Sequence, residues 1–257
     1  MNKRHLLVKY DKDLRIHRMF PEARREVNGT IVRFVREAPG MNFISFTFAT
    51  EKQLDRVIDQ EINYFATMNQ PLTWKVYEHD LLPGLNAKLL ENNFIKDTEP
   101  ADVMVYDLKS KGIDAASTSD AEVRQIKDVN GLKDVVHVLD TVYGNDNTWV
   151  YKRLGLHLKI SGYLSVYAAY VQDKPVSTAW TYFPSGHFAT LYGGTTIAEY
   201  RGRGLYTNIL AKRLKEIRDR GYQFAVVEAG NMSKPIVERQ GFQHLTTVWD
   251  YEFKRNN

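Results

Sequence analysis

Hydrophobic and polar positions alternate along this chain in two periods, and the period changes from segment to segment. Thr30 to Val35, Phe43 to Phe48, Leu72 to Tyr77 and Val103 to Leu108 are rich in Ile, Val, Phe and Thr and read as strands. Ala38-Pro39-Gly40 separates the first two. Leu54, Val57, Ile58, Ile62 and Phe65 make one stripe of a helix that Thr50 and Gln53 open as a capping box. Leu85, Leu89 and Leu90 predict a short helix that stops at Asn92-Asn93. In residues 1–29 only part of Asp13 to Met19 reads as helix.

The second half has the same mixture. Ser119 and Glu122 form a second capping box, which predicts a short helix through Val123, Ile126 and Val129. Another helix carries Leu132, Val135, Val136, Leu139 and Val142 and ends near Tyr143-Gly144, and a further helical segment runs to Leu158. Leu164 to Val171 and Val176 to Tyr182 read as strands joined by Gln-Asp-Lys-Pro. Phe183-Pro-Ser-Gly leads into a strand from His187 to Ile197. Leu205, Ile209, Leu210, Leu214 and Ile217 then stripe a helix with a cationic outer face that ends at Gly221. Tyr222 to Val227 is strand-like, and residues 242–253 read as the last strands, with Trp249, Tyr251 and Phe253 toward one face. These elements predict an α/β protein with a mixed sheet, of the α+β kind. The polar, small stretch Lys109 to Thr118 is the best linker, so two domains are expected, 1–110 and 111–257.

Composition narrows the chemistry only a little. The chain has 257 residues, 43% hydrophobic and 26% charged, enough for an ample core. A net charge of +4 suits anionic ligands without choosing among them. The absence of cysteine excludes disulfides, thiolate metal sites and a Cys nucleophile. Scattered histidines suggest no metal site. No run approaches the length of a membrane span, so the cytoplasm is expected, with no membrane partner.

The richest candidate chemistry lies where the His187–Ile197 strand meets Arg201-Gly202-Arg203-Gly204 and the next helix begins. The first N–H groups of a helix have no partners inside it, and its dipole adds partial positive charge there. Such a turn reads as an anion site, with Arg201 and Arg203 adding fixed charge, and a plain tight strand-to-helix turn is the alternative. It lacks both the dinucleotide G-x-G-x-x-G spacing and the Gly-Lys-Ser/Thr end of a P-loop.

Arg201-Gly-Arg-Gly204-Leu-Tyr206, followed by a strand, Asn231, a short helix and Gly241-Phe242, resembles the second half of the GNAT N-acetyltransferase superfamily. The family motif is R-x-x-G-x-G/A, and Tyr206 departs from its last position. The resemblance is clearest from Tyr163 to Phe253 and reaches back to about Gly112. It implies a GNAT fold in 111–257 and transfer of an acyl group, acetyl first, from acetyl-CoA to a primary amine. It implies backbone N–H groups of Thr195, Thr196 and Ile197 on the thioester carbonyl. Those of Gly202, Arg203, Gly204, Leu205, Tyr206 and Thr207 would hold the pyrophosphate, and Asn231 the pantetheine arm. Asn231 is alternatively a simple helix cap, a role for which Ser233 competes, with Pro235 in the first turn.

Acid–base roles are thinner. Val237 stands where the family commonly has a Tyr that protonates the thiolate, which leaves Ser233 acting through water, or no acid. The thioester strand has no carboxylate. Glu228, at the exit of the next strand, is the base candidate, and its structural alternative is an ion pair with Arg201 or Lys234. His187 and Tyr192 are weaker candidates. Tyr143, Trp149 and Tyr151 either line an acceptor pocket or are core and rim aromatics. In the first half, Trp74 to Asp80, Leu89 to Phe94 and Glu99 to Leu108 look like the tail of a GNAT unit without its glycine turn. This implies a smaller, degenerate GNAT-like α+β companion domain and one CoA per chain; ordinary α+β core segments are the alternative. The acceptor is expected to be a small molecule or peptide, and the chain a monomer or homodimer. A non-catalytic acyl-CoA-binding or regulatory module is the first alternative. Nucleic-acid binding is the second, with no known motif to support it.

Overall fold

The computed structural model describes residues 2–36, 40–109 and 121–253. The expected Ala38-Pro39 turn, most of the expected linker and the Ser119 half of the second capping box lie outside the described residues. The chain is mixed α+β and divides into two compact units. The first holds residues 1–104, 228–235 and 244–257, and the second holds 105–227 and 236–243.

The first unit opens with α1 (Lys3–Tyr10), where Asn2 Oδ1 accepts from the Arg4 N–H at 3.0 Å. The helix continues without a break into wider π-type turns over Asp11–Ile16. This is earlier than the Asp13–Met19 expectation, because burial of Tyr10 and Arg15 holds a segment that has little periodicity of its own. Then come β1 (Arg24–Val27), β2 (Ile31–Val35), β3 (Phe43–Thr47), α2 (Leu54–Thr67), β4 (Leu72–Tyr77), α3 (Leu85–Glu91), β5 (Ile95–Lys96) and β6 (Ala101–Asp107). The Thr50–Gln53 box forms, with the Thr50 N–H donating to Gln53 Oε1 at 2.8 Å. Leu54, Val57, Ile58 and Phe65 of α2 are buried against Ile31, Ile44, Leu72 and Trp74.

Strand β2 pairs antiparallel with both β1 and β3, and β3 runs parallel to β4. The last strand of the chain, β12 (Gln243–Phe253), pairs antiparallel with β4 from Val248↔Tyr77 to Phe253↔Leu72. Trp249, Tyr251 and Phe253 all reach the core of this unit, as their alternation predicts.

The second unit contains β7 (Glu122–Ile126), α4 (Leu132–Tyr143), α5 (Thr148–His157), β8 (Leu164–Val171), β9 (Lys174–Tyr182), β10 (Phe188–Thr196) and α6 (Leu205–Asp219). β11 (Phe224–Ala229) and the short α7 (Lys234–Arg239) each run from one unit into the other. Strands β7, β8, β9 and β10 form an antiparallel run, and β11 joins β10 in parallel.

The helix expected through Val123, Ile126 and Val129 is instead strand β7, paired to β8 from Glu122↔Tyr170 to Ile126↔Val166. Sheet pairing overrides a local helix pattern that spans barely one turn. The β8–β9 hairpin turns on Gln172 and Asp173, both at positive φ (49° and 58°), as a tight two-residue hairpin requires. Leu205, Ile209, Leu210, Leu214 and Ile217 of α6 are all buried.

Candidate functional site

Strand β10 carries an irregularity that organises the site. Its register with β9 passes from Tyr192↔Trp180 to Thr195↔Thr178, so Gly193 and Gly194 together face the single residue Ala179. Gly193 has φ +63°, and a Cβ there would lie 1.9 Å from the Trp180 ring. A Cβ on Gly194 would lie 2.6 Å from the Tyr206 ring. The pair therefore answers to two aromatic side chains, and no other residue fits either position without a shift. The parallel pairing of β10 with β11 runs Phe188↔Phe224, Ala189↔Ala225 and Thr190↔Val226, and ends before the bulge begins.

Beyond the bulge the strand is tied down. Thr195 is buried, and its Oγ1 lies 3.2 Å from the Tyr143 hydroxyl at the end of α4. Ser177 Oγ donates to the Thr195 carbonyl at 2.8 Å and lies 2.8 Å from Thr196 Oγ1. The Ile197 N–H donates to the Val176 carbonyl at 3.0 Å. Of the three N–H groups expected to face a carbonyl, that of Ile197 is therefore already engaged.

A 3-10 turn over Ala198–Tyr200 then delivers the chain to Arg201, whose Nε donates back to the Thr196 carbonyl at 3.1 Å. Arg203 stacks on the Tyr200 ring, 5.3 Å from its centroid. Gly202 has φ +76° and open space where a Cβ would stand. Gly204 has φ +77° and precedes α6, whose first bond joins the Asn208 N–H to the Gly204 carbonyl at 2.9 Å. The N–H groups of Leu205, Tyr206 and Thr207 thus belong to the first turn of a fifteen-residue helix. Such a turn, with two exposed arginines and a Cβ-free approach, has the donors and charge that an anion would need.

The remaining expected residues fall in three places. Tyr192 is half exposed on β10, edge-on to Tyr182 at 5.5 Å between centroids. Tyr182 in turn meets His157, whose Nδ1 lies 2.9 Å from its hydroxyl. Tyr143 and Trp149 are exposed, on α4 and α5. Glu228, Asn231 and Ser233 belong to the first unit by their contacts. Glu228 makes an ion pair with Lys75 (3.3 Å), which also reaches Asp250 (3.3 Å). Lys234 pairs with Asp102 at 2.9 Å. Burial raises the Asp250 carboxyl above its ordinary value, against the pull of Lys75. Asn231 is exposed, and Ser233 Oγ donates to the Gly230 carbonyl at 3.2 Å just before α7. Val237, expected at the position where the family commonly has a Tyr, is fully buried.

Sequence reasoning assigns no role to two features of this site. The Gly193-Gly194 pair was visible as glycines inside a strand pattern, a usual mark of a bulge. Arg213 is a cation of α6 that does not lie on its outer face: it is 2% exposed and bonds to β9 on the sheet side of that helix.

No family model matches the chain, and neither does any curated protein. Solved structures do. A GCN5-related N-acetyltransferase from Kribbella flavida superposes with a TM-score of 0.72 over 99% of this chain and 95% of its own, at 12% identity. The chain has the GNAT fold. A tandem GNAT protein of the clavulanic acid biosynthesis pathway aligns with 93% of this chain and 86% of its own, with a TM-score of 0.63 and 12% identity. A conserved protein of unknown function from Staphylococcus epidermidis aligns with 93% of this chain and 96% of its own, at 0.67 and 14%. At these identities the GNAT likeness is one of fold. Among the described residues no helix is long and apolar enough to cross a membrane, and no group of three or more His, Asp or Glu could hold a metal.

Proposed function

We propose that residues 111–257 transfer an acyl group, acetyl first, from CoA to a primary amine. The observation that carries this reading is the sequence of a glycine bulge, a helix-terminal anion turn and two arginines along one continuous stretch of a GNAT fold. The turn fits a pyrophosphate. Gly202 leaves room for close approach, and the N–H groups of residues 204–207 with Arg201 and Arg203 supply donors. Gly193, Gly194 and Thr195 are the N–H groups nearest the break in the ladder, and they would polarise the thioester carbonyl.

Acetyl-CoA supplies an activated acyl group as a thioester. The amine nitrogen attacks the carbonyl carbon, the new C–N bond forms and the C–S bond breaks. The nitrogen gives up one proton and the departing thiolate gains one, leaving an amide and free CoA. Glu228 is the base candidate on this reading. Its carboxylate lies 3.3 Å from the Lys75 ammonium. Asn231 would hold the pantetheine arm, and the exposed rings of Tyr143, Tyr192 and Trp149 would face the acceptor. The companion unit contributes no second glycine turn, so one CoA per chain is proposed, with 1–110 as a degenerate GNAT-like half.

A panel of small amines, aminoglycosides and peptides with acetyl-CoA tests the reading through release of free thiol. Sustained release with one class of amine supports it. Tight acetyl-CoA binding without turnover on any amine would favour an acyl-CoA-binding module instead.

A further inference from the structure

The most unusual side chain in the second unit is Arg213. It stands in the middle of α6, four residues past Ile209 on the buried stripe, and is almost wholly enclosed. Its Nε donates to Thr181 Oγ1 at 2.9 Å. Its Nη2 donates to the carbonyl of Trp180 and reaches that of Tyr192 at 3.4 Å. Among the described residues no carboxylate forms an ion pair with it. Glu216, the nearest acid in its field, is hydrogen-bonded to Ser165 (2.6 Å), Tyr167 (3.0 Å) and Arg220 (2.7 Å). Burial pulls the Arg213 guanidinium down to about 10, with Tyr206, Tyr167 and Glu216 opposing. A buried cation is costly unless something in the fold needs it.

Trp180 and Tyr192 are the last regular pair of the β9–β10 ladder before the bulge. The guanidinium thus binds the two carbonyls at the point where the ladder breaks. Tyr206, in the first turn of α6 and half-buried, packs its ring under Gly194, within the bulge itself. Helix α6 therefore grips the bulge twice, by a donor fork before it and by a ring beneath it. Both grips come from the helix whose first turn forms the anion site.

We infer that Arg213 is a positioning residue for the acyl site: its guanidinium, bound to the carbonyls of Trp180 and Tyr192, fixes the Gly193-Gly194 bulge so that the N–H groups there meet the thioester oxygen. It touches neither substrate. Its charge also lies beneath the strand on which negative charge develops, in surroundings where screening is weak. This rests on the acyl-transfer reading.

The test uses the full chain and acetyl-CoA labelled with carbon-13 at the carbonyl. The carbonyl stretch of bound acetyl-CoA, measured by difference infrared spectroscopy without an acceptor, reports polarisation directly. Calorimetry on the same samples reports affinity. Bound to the native protein, the stretch should move to lower frequency than in water. In Arg213→Met, which keeps the length and removes the fork, it should return most of the way while acetyl-CoA affinity is unchanged. With an active amine, kcat should fall about 10²-fold, the usual size of a small misplacement, while KM for acetyl-CoA stays the same. Arg213→Lys should recover only part of the shift, because one ammonium cannot serve two carbonyls and a hydroxyl. Should Arg213→Met not fold, Thr181→Val removes the Nε anchor alone and should show a smaller change of the same sign. A native carbonyl shift in the folded variants overturns the inference while leaving acyl transfer intact. Failure of the native protein to bind acetyl-CoA overturns both.

Discussion

Gly193→Ala tests the origin of the bulge, and its cost can be built up from the structure. The first contribution is conformational. Gly193 has φ +63°, and a residue with a Cβ pays about 1 to 2 kcal/mol to adopt the left-handed region. The second is steric. The added Cβ falls 1.9 Å from one atom of the Trp180 ring and 2.3 Å from two more, so the ring or the strand must move. Overpacking of this kind costs about 1 to 3 kcal/mol. Together these predict about 2 to 5 kcal/mol of destabilisation. Gly202→Ala is the control, because its φ of +76° carries the first cost while open space removes the second. Urea unfolding followed by circular dichroism measures both, provided the slope stays constant.

The steric part belongs to a pair and is separable by a double-mutant cycle. In a Trp180→Ala background the Cβ at 193 meets no ring, so the extra cost of Gly193→Ala should shrink to that of Gly202→Ala. The coupling should be about 1 to 3 kcal/mol. If Gly193→Ala is no worse than Gly202→Ala, or if Trp180→Ala brings no relief, then Trp180 is not what demands glycine at this position.

Four further outcomes are expected. Gly204→Asp places a carboxylate at the start of α6, at φ +77°, and should weaken acetyl-CoA by several kcal/mol, on the order of a lost charge-assisted network; calorimetry at native affinity would end the pyrophosphate assignment. The same calorimetry should give one acetyl-CoA per chain, and a stoichiometry of two would refute a degenerate first half. Glu228→Gln should lower kcat by about 10² to 10⁴ with acetyl-CoA affinity unchanged and partial recovery at high pH; a near-native rate at every pH would leave Glu228 as the ion-pair partner of Lys75 alone. Asp11 is largely buried, which would raise its carboxyl, but His79 and Arg15 outweigh burial and hold it below its ordinary value. Its contribution is therefore present above the unfolded pKa and lost as pH falls through the folded one, so Asp11→Asn should destabilise by about 1 to 3 kcal/mol at neutral pH, with the gap closing below about pH 4.

What was legible in the sequence was whatever a segment settles within itself. The α6 stripe from Leu205 to Ile217, the β8 run from Leu164 to Val171 and the Thr50–Gln53 box each declare their structure in a few turns or residues, and all three form. The strand-to-helix turn over Arg201–Gly204 was legible for the same reason, since strand, glycines and helix start are contiguous. Strand β7 was not, because Val123 and Ile126 stand at a helical spacing, pack into two different clusters on the strand, and owe that strand to β8, some forty residues away. Strand β1 was missed because Arg24, Arg25 and Glu26 are charged, as short edge strands often are.

The bulge shows the same limit from inside the site. Gly193 answers to Trp180, and Gly194 to Tyr206, across turns that no local pattern spans. Tyr206 looked like a defect in R-x-x-G-x-G/A, since a large residue stands where a small one is usual. The structure shows what accommodates it: a Cβ on Gly194 would lie 2.6 Å from the Tyr206 ring, and its absence makes room for the ring. Arg213 completes the same contact set by holding the carbonyls before the bulge. A departure that reads as loss along one helix is therefore part of the packing between two elements, and Tyr206→Ala alone should leave a gap under Gly194 rather than repair the motif.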